Sequence, residues 1–161
     1  MTVSSAQEFT TEVNASVDVC FSTITAFESY PEWFSSIEHS QVLDRYRDGL
    51  GKVVEYRIDM KLKSIRYVLE YEYEKPTHLV WHCVDGDIEA IEGRYLFERV
   101  GAKVTRATCR QAVSFGFWVP GPIRKLMERQ ALQQSVLEFK AAAESAATAA
   151  GTAKRRPRRK G

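Results

Sequence analysis

Apolar and polar residues alternate with a period of two over most of the chain between residues 37 and 115. In the strand predicted at residues 52–61, every even position from 54 onward is apolar and every odd position is charged. The same alternation predicts further strands in these segments: 7–14, 40–42, 65–73, 79–83, 95–98 and 105–115. Because one face of the strands is polar, the pattern favours a seven-stranded antiparallel sheet covered on one side.

Helical spacing replaces this alternation in two parts of the chain. Ser16 is the predicted N-cap of a helix in which apolar residues recur until Phe27, and Pro31 interrupts it before a second short helix. Residues 123–144 contain neither Gly nor Pro and are rich in strong helix formers. A long helix that begins around Pro122 is therefore predicted to cover the open face of the sheet.

The long helix carries two apolar stripes on nearly opposite sides. One stripe combines apolar residues with two glutamines: Ile123, Leu126, Met127, Gln130, Gln134 and Leu137. The other stripe contains Leu132, Val136 and Phe139. The helix is either buried on both sides in its second half, kinked near its middle, or in contact with another subunit. The glutamines are either polar groups of a cavity or residues on a solvated shoulder.

Composition limits the class of protein. A chain of 161 residues with 44% hydrophobic content suits one domain with a substantial core. The sequence has no apolar run long enough for a membrane span and no basic-then-apolar leader, so we expect a cytoplasmic protein. Cys20, Cys83 and Cys109 lie far apart in apolar surroundings, which favours core residues over disulfides or metal ligands.

Charge is distributed unevenly along the chain. The net charge is +2, but six positive charges lie in residues 154–160, which leaves the remainder with a formal balance of −4. We therefore expect a folded domain at residues 1–145 and a disordered tail at residues 146–161, Ala-rich at first and then basic. Binding to nucleic acid is expected only through this tail, because the mildly acidic domain offers no basic face.

Signatures of familiar enzyme chemistry are absent from the sequence, which has no glycine-rich nucleotide loop, nucleophile elbow or zinc-binding pattern. His82 alternates outward, His78 follows a turn, and His39 has no carboxylate placed to orient it. We accordingly predict no catalytic residue, no metal and no cofactor.

Aromatic residues dominate the inward positions of the predicted strands: Tyr56, Tyr67, Tyr71, Trp81, Tyr95 and Phe97. Wide apolar walls with a few phenolic hydroxyls suit a hydrophobic or polycyclic ligand, although the same rings could simply fill the interior. Gln111 also falls on an inward position, where a buried amide requires either a hydrogen-bonding network or a ligand.

Several segments, in this order, resemble START-like (SRPBCC) domains of the polyketide cyclase/dehydrase and coenzyme-Q-binding type. They are Ala15-Ser16, Phe27-Glu28-Ser29-Tyr30-Pro31-Glu32-Trp33, Trp81 with Asp85-Gly86-Asp87, Gly93-Arg94-Tyr95-Leu96-Phe97 and Phe117-Trp118-Val119-Pro120-Gly121. The resemblance covers roughly residues 7–144. It implies an α+β helix-grip fold, in which a curved antiparallel sheet surrounds one long C-terminal helix, with two short helices after the first strand.

The resemblance also implies a cavity between sheet and helix that binds a hydrophobic small molecule or lipid, such as a quinone, a polyketide or a fatty-acid-like molecule. Because the inward set contains no distinctive catalytic Arg or His, we expect binding without catalysis. Ligand-binding residues are then expected in both walls and at an entrance near Trp33, Phe34 and Trp118. The remaining candidates are Tyr56, Tyr67, Tyr71, Trp81, Tyr95, Phe97, Gln111, Met127, Gln130 and Gln134. Two alternatives stay open, a polyketide aromatase/cyclase or dehydratase that uses the tyrosines, and a ribosome- or RNA-associated protein that uses the tail. A monomer or a homodimer is expected.

Overall fold

The computed structural model describes residues 6–59, 64–116, 118 and 120–155, with side chains up to residue 150. Within these residues the chain forms seven strands, two short α-helices joined by a 3-10 turn, and one long helix, as the sequence predicts. The elements are β1 (Gln7–Val13), α1 (Val17–Thr25), the 3-10 turn (Phe27–Ser29), α2 (Tyr30–Trp33), β2 (Ile37–Arg45), β3 (Gly51–Asp59), β4 (Ser64–Glu74), β5 (His78–Gly86), β6 (Ala90–Gly101), β7 (Val104–Ser114) and α3 (Gly121–Arg155).

The strands form one sheet in the order β1-β7-β6-β5-β4-β3-β2, with every neighbouring pair antiparallel. The predicted alternation separates the two faces, and β6 shows it clearly. Ile91, Tyr95 and Phe97 are buried, whereas Glu92 and Glu98 are exposed. One face of the sheet therefore meets the core while the other meets solvent.

Local capping explains where the first helix begins. The Ser16 side chain accepts a hydrogen bond from the Val19 backbone N–H at 3.2 Å, which confirms the predicted N-cap. Tyr30, at the start of α2, donates its buried hydroxyl to the backbone carbonyl of Ile24 in α1. This bond holds the two short helices together at one end of the sheet.

Helix α3 packs on the sheet through one of its two apolar stripes. Leu132, Val136, Phe139 and Ala143 are buried. The opposite stripe is about half exposed, at Ile123, Leu126 and Leu137 among others. Burial on both sides of the helix, one of the three alternatives that the sequence leaves open, is therefore wrong.

Polar contacts tie α3 to the sheet and to the α2–β2 connection. Glu138 accepts hydrogen bonds from the Ser35 backbone N–H at 2.8 Å and from the Ser35 hydroxyl at 2.9 Å. Nearer the C-terminus, Glu144 accepts from the Asn14 backbone N–H, and Lys140 donates to the Glu12 carbonyl. These contacts hold the helix in the middle and at the C-terminal end of its buried stripe.

The end of α3 differs from the sequence-based expectation. A disordered tail is predicted from residue 146, but the helix continues to Arg155. Alanine has the strongest intrinsic helix preference, so residues 146–150 extend the helix rather than fray from it. The basic segment 156–161 lies outside the described residues, as do Met60, Lys61, Phe117 and Val119 of the predicted segments.

Candidate functional site

A cavity of about 250 Å³ lies between the inward face of the sheet and the first half of α3. Eight of the residues predicted to bind a ligand line it: Phe34, Tyr56, Tyr67, Tyr71, Trp81, Tyr95, Gln111 and Met127. They come from several different strands, from the residue after α2 and from α3. The topology thus brings most of the predicted site together around one cavity.

The other five predicted residues do not line this cavity. Phe97 is buried where α3 packs directly on the sheet, and Trp33 packs against Tyr30 and Phe34 on the helical side. Trp118 is 85% exposed. Gln130 and Gln134 are exposed on α3, and the amide of Gln134 donates a 2.9 Å hydrogen bond to the Ser35 hydroxyl. The glutamines therefore lie on the solvated shoulder of the helix.

Aromatic rings both fill part of the interior and leave part of it open. Beyond the cavity, the Phe139 ring lies 5.4 Å from Tyr95 and 5.7 Å from Phe97, measured between centroids, which closes the core there. On the cavity side, Trp81 contacts Tyr71 and Tyr95 at centroid distances of 6.0 and 5.9 Å. These cavity-side rings form a continuous wall.

Two tyrosine hydroxyls in this wall are hydrogen-bonded to each other. The oxygens of Tyr56 and Tyr71 lie 2.6 Å apart in a buried hydrogen bond. Burial raises the pKa of both phenols well above the usual range, because the interior disfavours a phenolate. At neutral pH this part of the wall is therefore an uncharged hydrogen-bonded pair.

The position of Trp81 depends on two neighbouring residues. Its ring Nε1 donates a 3.1 Å hydrogen bond to the side-chain oxygen of Gln111, so this inward amide has a protein partner. On β6, Gly93 lies directly opposite Trp81. A Cβ atom at residue 93 would lie 2.3 Å from the indole ring, so the ring can occupy this place only over a glycine.

Tyr67 offers a different polar group to the cavity. Within the described part of the chain, no protein hydrogen bond is made by its hydroxyl, although the residue lines the cavity. Burial raises the pKa of this phenol, so it remains protonated at neutral pH. Its hydroxyl can therefore donate a hydrogen bond to a ligand or accept one.

Sequence reasoning missed several residues of the lining. Tyr30 belongs to the predicted aromatic segment after the first helix but was not assigned to the cavity. Glu128 and Ser135 lie on the side of α3 between its two apolar stripes. The signal that could have found them is their spacing around Leu132, four residues before it and three after it. A polar flank of α3 therefore faces the interior beside the buried stripe.

Ionisable groups outside the cavity are structural or exposed. His82 lies on the exposed face with its Nε2 3.9 Å from a Glu70 oxygen, as its outward position predicts. Cys109 does line the cavity, but burial raises the pKa of its thiol to about 12, which makes it unreactive at neutral pH. No three His, Cys, Asp or Glu side chains in the described ranges are grouped so that they could hold a metal ion.

A curved antiparallel sheet closed by one long helix over a cavity defines the helix-grip class of fold. The family described as polyketide cyclase / dehydrase and lipid transport matches residues 13–140, and the chain belongs to this family. The predicted START-like character is thereby confirmed. No curated protein matches the sequence.

Solved structures with the same fold include a START superfamily protein from Mycobacterium smegmatis, with a TM-score of 0.75 and 22% identity over 90% of this chain and 98% of that one. A protein from Thermus thermophilus gives a TM-score of 0.73 and 16% identity over 90% and 98% of the two chains. The Zhui aromatase/cyclase from Streptomyces sp. R1128 gives 0.63 and 16%, over 97% of each chain. At these identities the similarity establishes the fold alone.

A helix that crosses a bilayer must be both long and strongly apolar. Among the described residues, no helix combines these two properties.

Proposed function

We propose that this protein binds a hydrophobic small molecule, such as a quinone, a polyketide or a related lipid, in the cavity between the sheet and α3. The observation that carries the proposal is the unfilled space of about 250 Å³ behind a wall of aromatic rings. Ligand pockets in proteins are usually apolar, with a few polar groups that fix orientation. Tyr67 and Gln111 supply such groups here.

The state of the polar groups supports binding rather than proton transfer. Tyr56 and Tyr71 are hydrogen-bonded to each other, and the indole of Trp81 is bonded to Gln111. Because burial raises the pKa of the cavity tyrosines, their phenolates are poorly accessible as bases at neutral pH. The wall therefore presents fixed, neutral hydrogen-bonding groups to a bound molecule.

Filling the cavity tests this function. Val113 lines the cavity from β7, and a Val113→Phe substitution would place a ring in the space that a ligand needs. We expect the affinity for menadione, a neutral naphthoquinone, to fall at least about tenfold, measured by isothermal titration calorimetry. The melting temperature of the variant should stay close to that of the wild type.

The matched control is Val80→Phe, which adds the same ring on the exposed face of β5 and should leave the affinity unchanged. Equal affinity of the Val113→Phe variant and the wild type would show that the molecule binds elsewhere. Absence of binding by menadione and by neutral aromatic hydrocarbons would contradict the proposed function.

A second candidate function is cyclisation or dehydration of a polyketide chain in the same cavity. The observation that favours it is the Tyr67 hydroxyl, which reaches the cavity without a protein hydrogen bond within the described residues. If this phenol assists enolisation as an acid, Tyr67→Phe should abolish product formation from a poly-β-keto analogue while menadione still binds. Unchanged turnover in this variant would remove Tyr67 from the reaction.

A further inference from the structure

Four residues lie side by side in one row across the sheet. Trp81 on β5 is opposite Gly93 on β6, Gly93 is opposite Gln111 on β7, and Gln111 is opposite Gln7 on the edge strand β1. All of them except the glycine line the cavity. Because Gly93 has no side chain, the indole of Trp81 lies across β6, and its Nε1 comes within 3.1 Å of the Gln111 side-chain oxygen.

The bond from Trp81 sets the direction of the Gln111 amide. An indole N–H can only donate, so the amide atom that faces it is the oxygen, and the nitrogen with its two N–H groups points elsewhere. In the described part of the chain this nitrogen has no hydrogen-bond partner, and Arg124 Nε is the only side-chain nitrogen or oxygen there that is both buried and unpaired. The amide nitrogen of Gln111 is therefore still accessible, on a residue that lines the cavity.

The surroundings of this nitrogen are mostly apolar. Cys109 and Val113, the neighbours of Gln111 on the same face of β7, also line the cavity. Gln7 is the next polar residue in the row, and its side chain makes no hydrogen bond within the described residues, so its amide can turn toward the same ligand group. A ligand that places hydrocarbon here leaves donors unpaired, which costs binding free energy.

We infer that Gln111 selects ligands with a carbonyl oxygen by donating a hydrogen bond from its amide nitrogen, and that Trp81 is a positioning residue that keeps this nitrogen turned toward the ligand. The inference rests on the proposed binding function and narrows its ligands to molecules with a ketone or quinone oxygen. A hydrocarbon of the same shape offers no acceptor. A phenol presents its donor to an amide whose oxygen is already engaged by the indole.

Two ligands of nearly the same shape test the role of Gln111 on the full chain at neutral pH. β-Acetylnaphthalene carries a ketone, and in β-isopropenylnaphthalene a methylene group replaces the ketone oxygen. Gln111→Met keeps the length of the side chain and removes both polar atoms. By calorimetry, we expect the ratio of ketone affinity to alkene affinity to fall about fivefold in this variant, the usual size of one hydrogen bond. The ratio cancels effects of the substitution that the two ligands share.

Trp81→Phe tests the positioning role, because it keeps an aromatic ring and removes the N–H that holds the amide oxygen. The Gln111 amide can then turn its oxygen toward a ligand, so binding of the phenol β-naphthol should improve relative to binding of β-acetylnaphthalene by several-fold. A residue that only supported the cavity wall would not change this ratio. If Trp81→Phe keeps the wild-type ratio, Trp81 does not orient the amide and the inference is overturned.

Gln41→Met is the matched control, since it makes the same replacement at an exposed position of β2 and should leave all ratios unchanged. Circular dichroism would establish that each variant is folded, and if Gln111→Met does not fold, the ratios in Trp81→Phe decide the question. A folded Gln111→Met variant with the wild-type ratio of ketone to alkene affinity would refute the inference while the binding function stands. If the wild-type chain binds neither naphthalene ligand nor menadione, the proposed function itself fails.

Discussion

Replacing Phe139 with alanine is expected to lower the free energy of unfolding by about 3–5 kcal/mol. The Phe139 side chain is fully buried, and its ring contacts Trp33, Tyr95 and Phe97. Removing the ring leaves a void where α3 packs on the core. The neighbouring aromatic rings can fill that void only in part, because their backbone positions are fixed by the sheet and the helices. Urea unfolding monitored by circular dichroism would measure the loss.

Leu137 is the matched control for this prediction, because it lies two residues earlier on α3 and is half exposed. Leu137→Ala should cost less than about 1 kcal/mol. Similar losses for the two variants would mean that the stripe containing Leu137 is covered in solution, for instance by a second copy of the chain. A small loss for both would contradict the packing of α3 described above.

The sequence does not show which of the two apolar stripes of α3 packs on the sheet. Leu132, Val136 and Phe139 on one side and Ile123, Leu126 and Leu137 on the other are equally apolar, so periodicity alone gives no direction. The stripe with the largest ring meets the sheet. The choice depends on how sheet and helix fit together in three dimensions, which a local pattern does not contain.

The sheet, by contrast, could be predicted well because period-two alternation is a local property. The alternation directly predicts which side chains point inward from the sheet. Those that also line the cavity include Tyr56, Tyr71, Trp81, Tyr95 and Gln111. Position along a strand is harder to predict. Phe97 points to the same face of the sheet as Tyr95, but it lies two residues further along β6, where α3 packs directly on the core.

Cavity residues from helices and connections were the least predictable part of the site. Trp118, predicted near an entrance, is exposed beside the start of α3 and is not among the residues that line the cavity. Glu128 is charged, which normally indicates a solvated position, yet its side chain is nearly buried. Both outcomes depend on the angle at which α3 approaches the sheet, and side-chain chemistry alone does not determine that angle.

Replacing Gly93 with alanine is expected to weaken ligand binding at least about tenfold and to destabilise the fold by about 1–3 kcal/mol. The new methyl group would lie 2.3–2.4 Å from three atoms of the Trp81 indole, so the ring must move. The free space beside it is the cavity, and a ring that moves there occupies the ligand's volume. It also breaks the hydrogen bond to Gln111, which leaves two polar groups without their partner.

Gly101 provides the control on the same strand, because a Cβ atom there would approach nothing closer than 3.8 Å, an ordinary contact. Gly101→Ala should change neither menadione affinity nor stability appreciably. For Gly93→Ala, a shift in tryptophan fluorescence should accompany the loss of affinity, since the indole exchanges its amide partner for a new environment. If Gly93→Ala binds menadione like the wild type, Trp81 does not hold the cavity open, and the aromatic wall is more adaptable than its packing indicates.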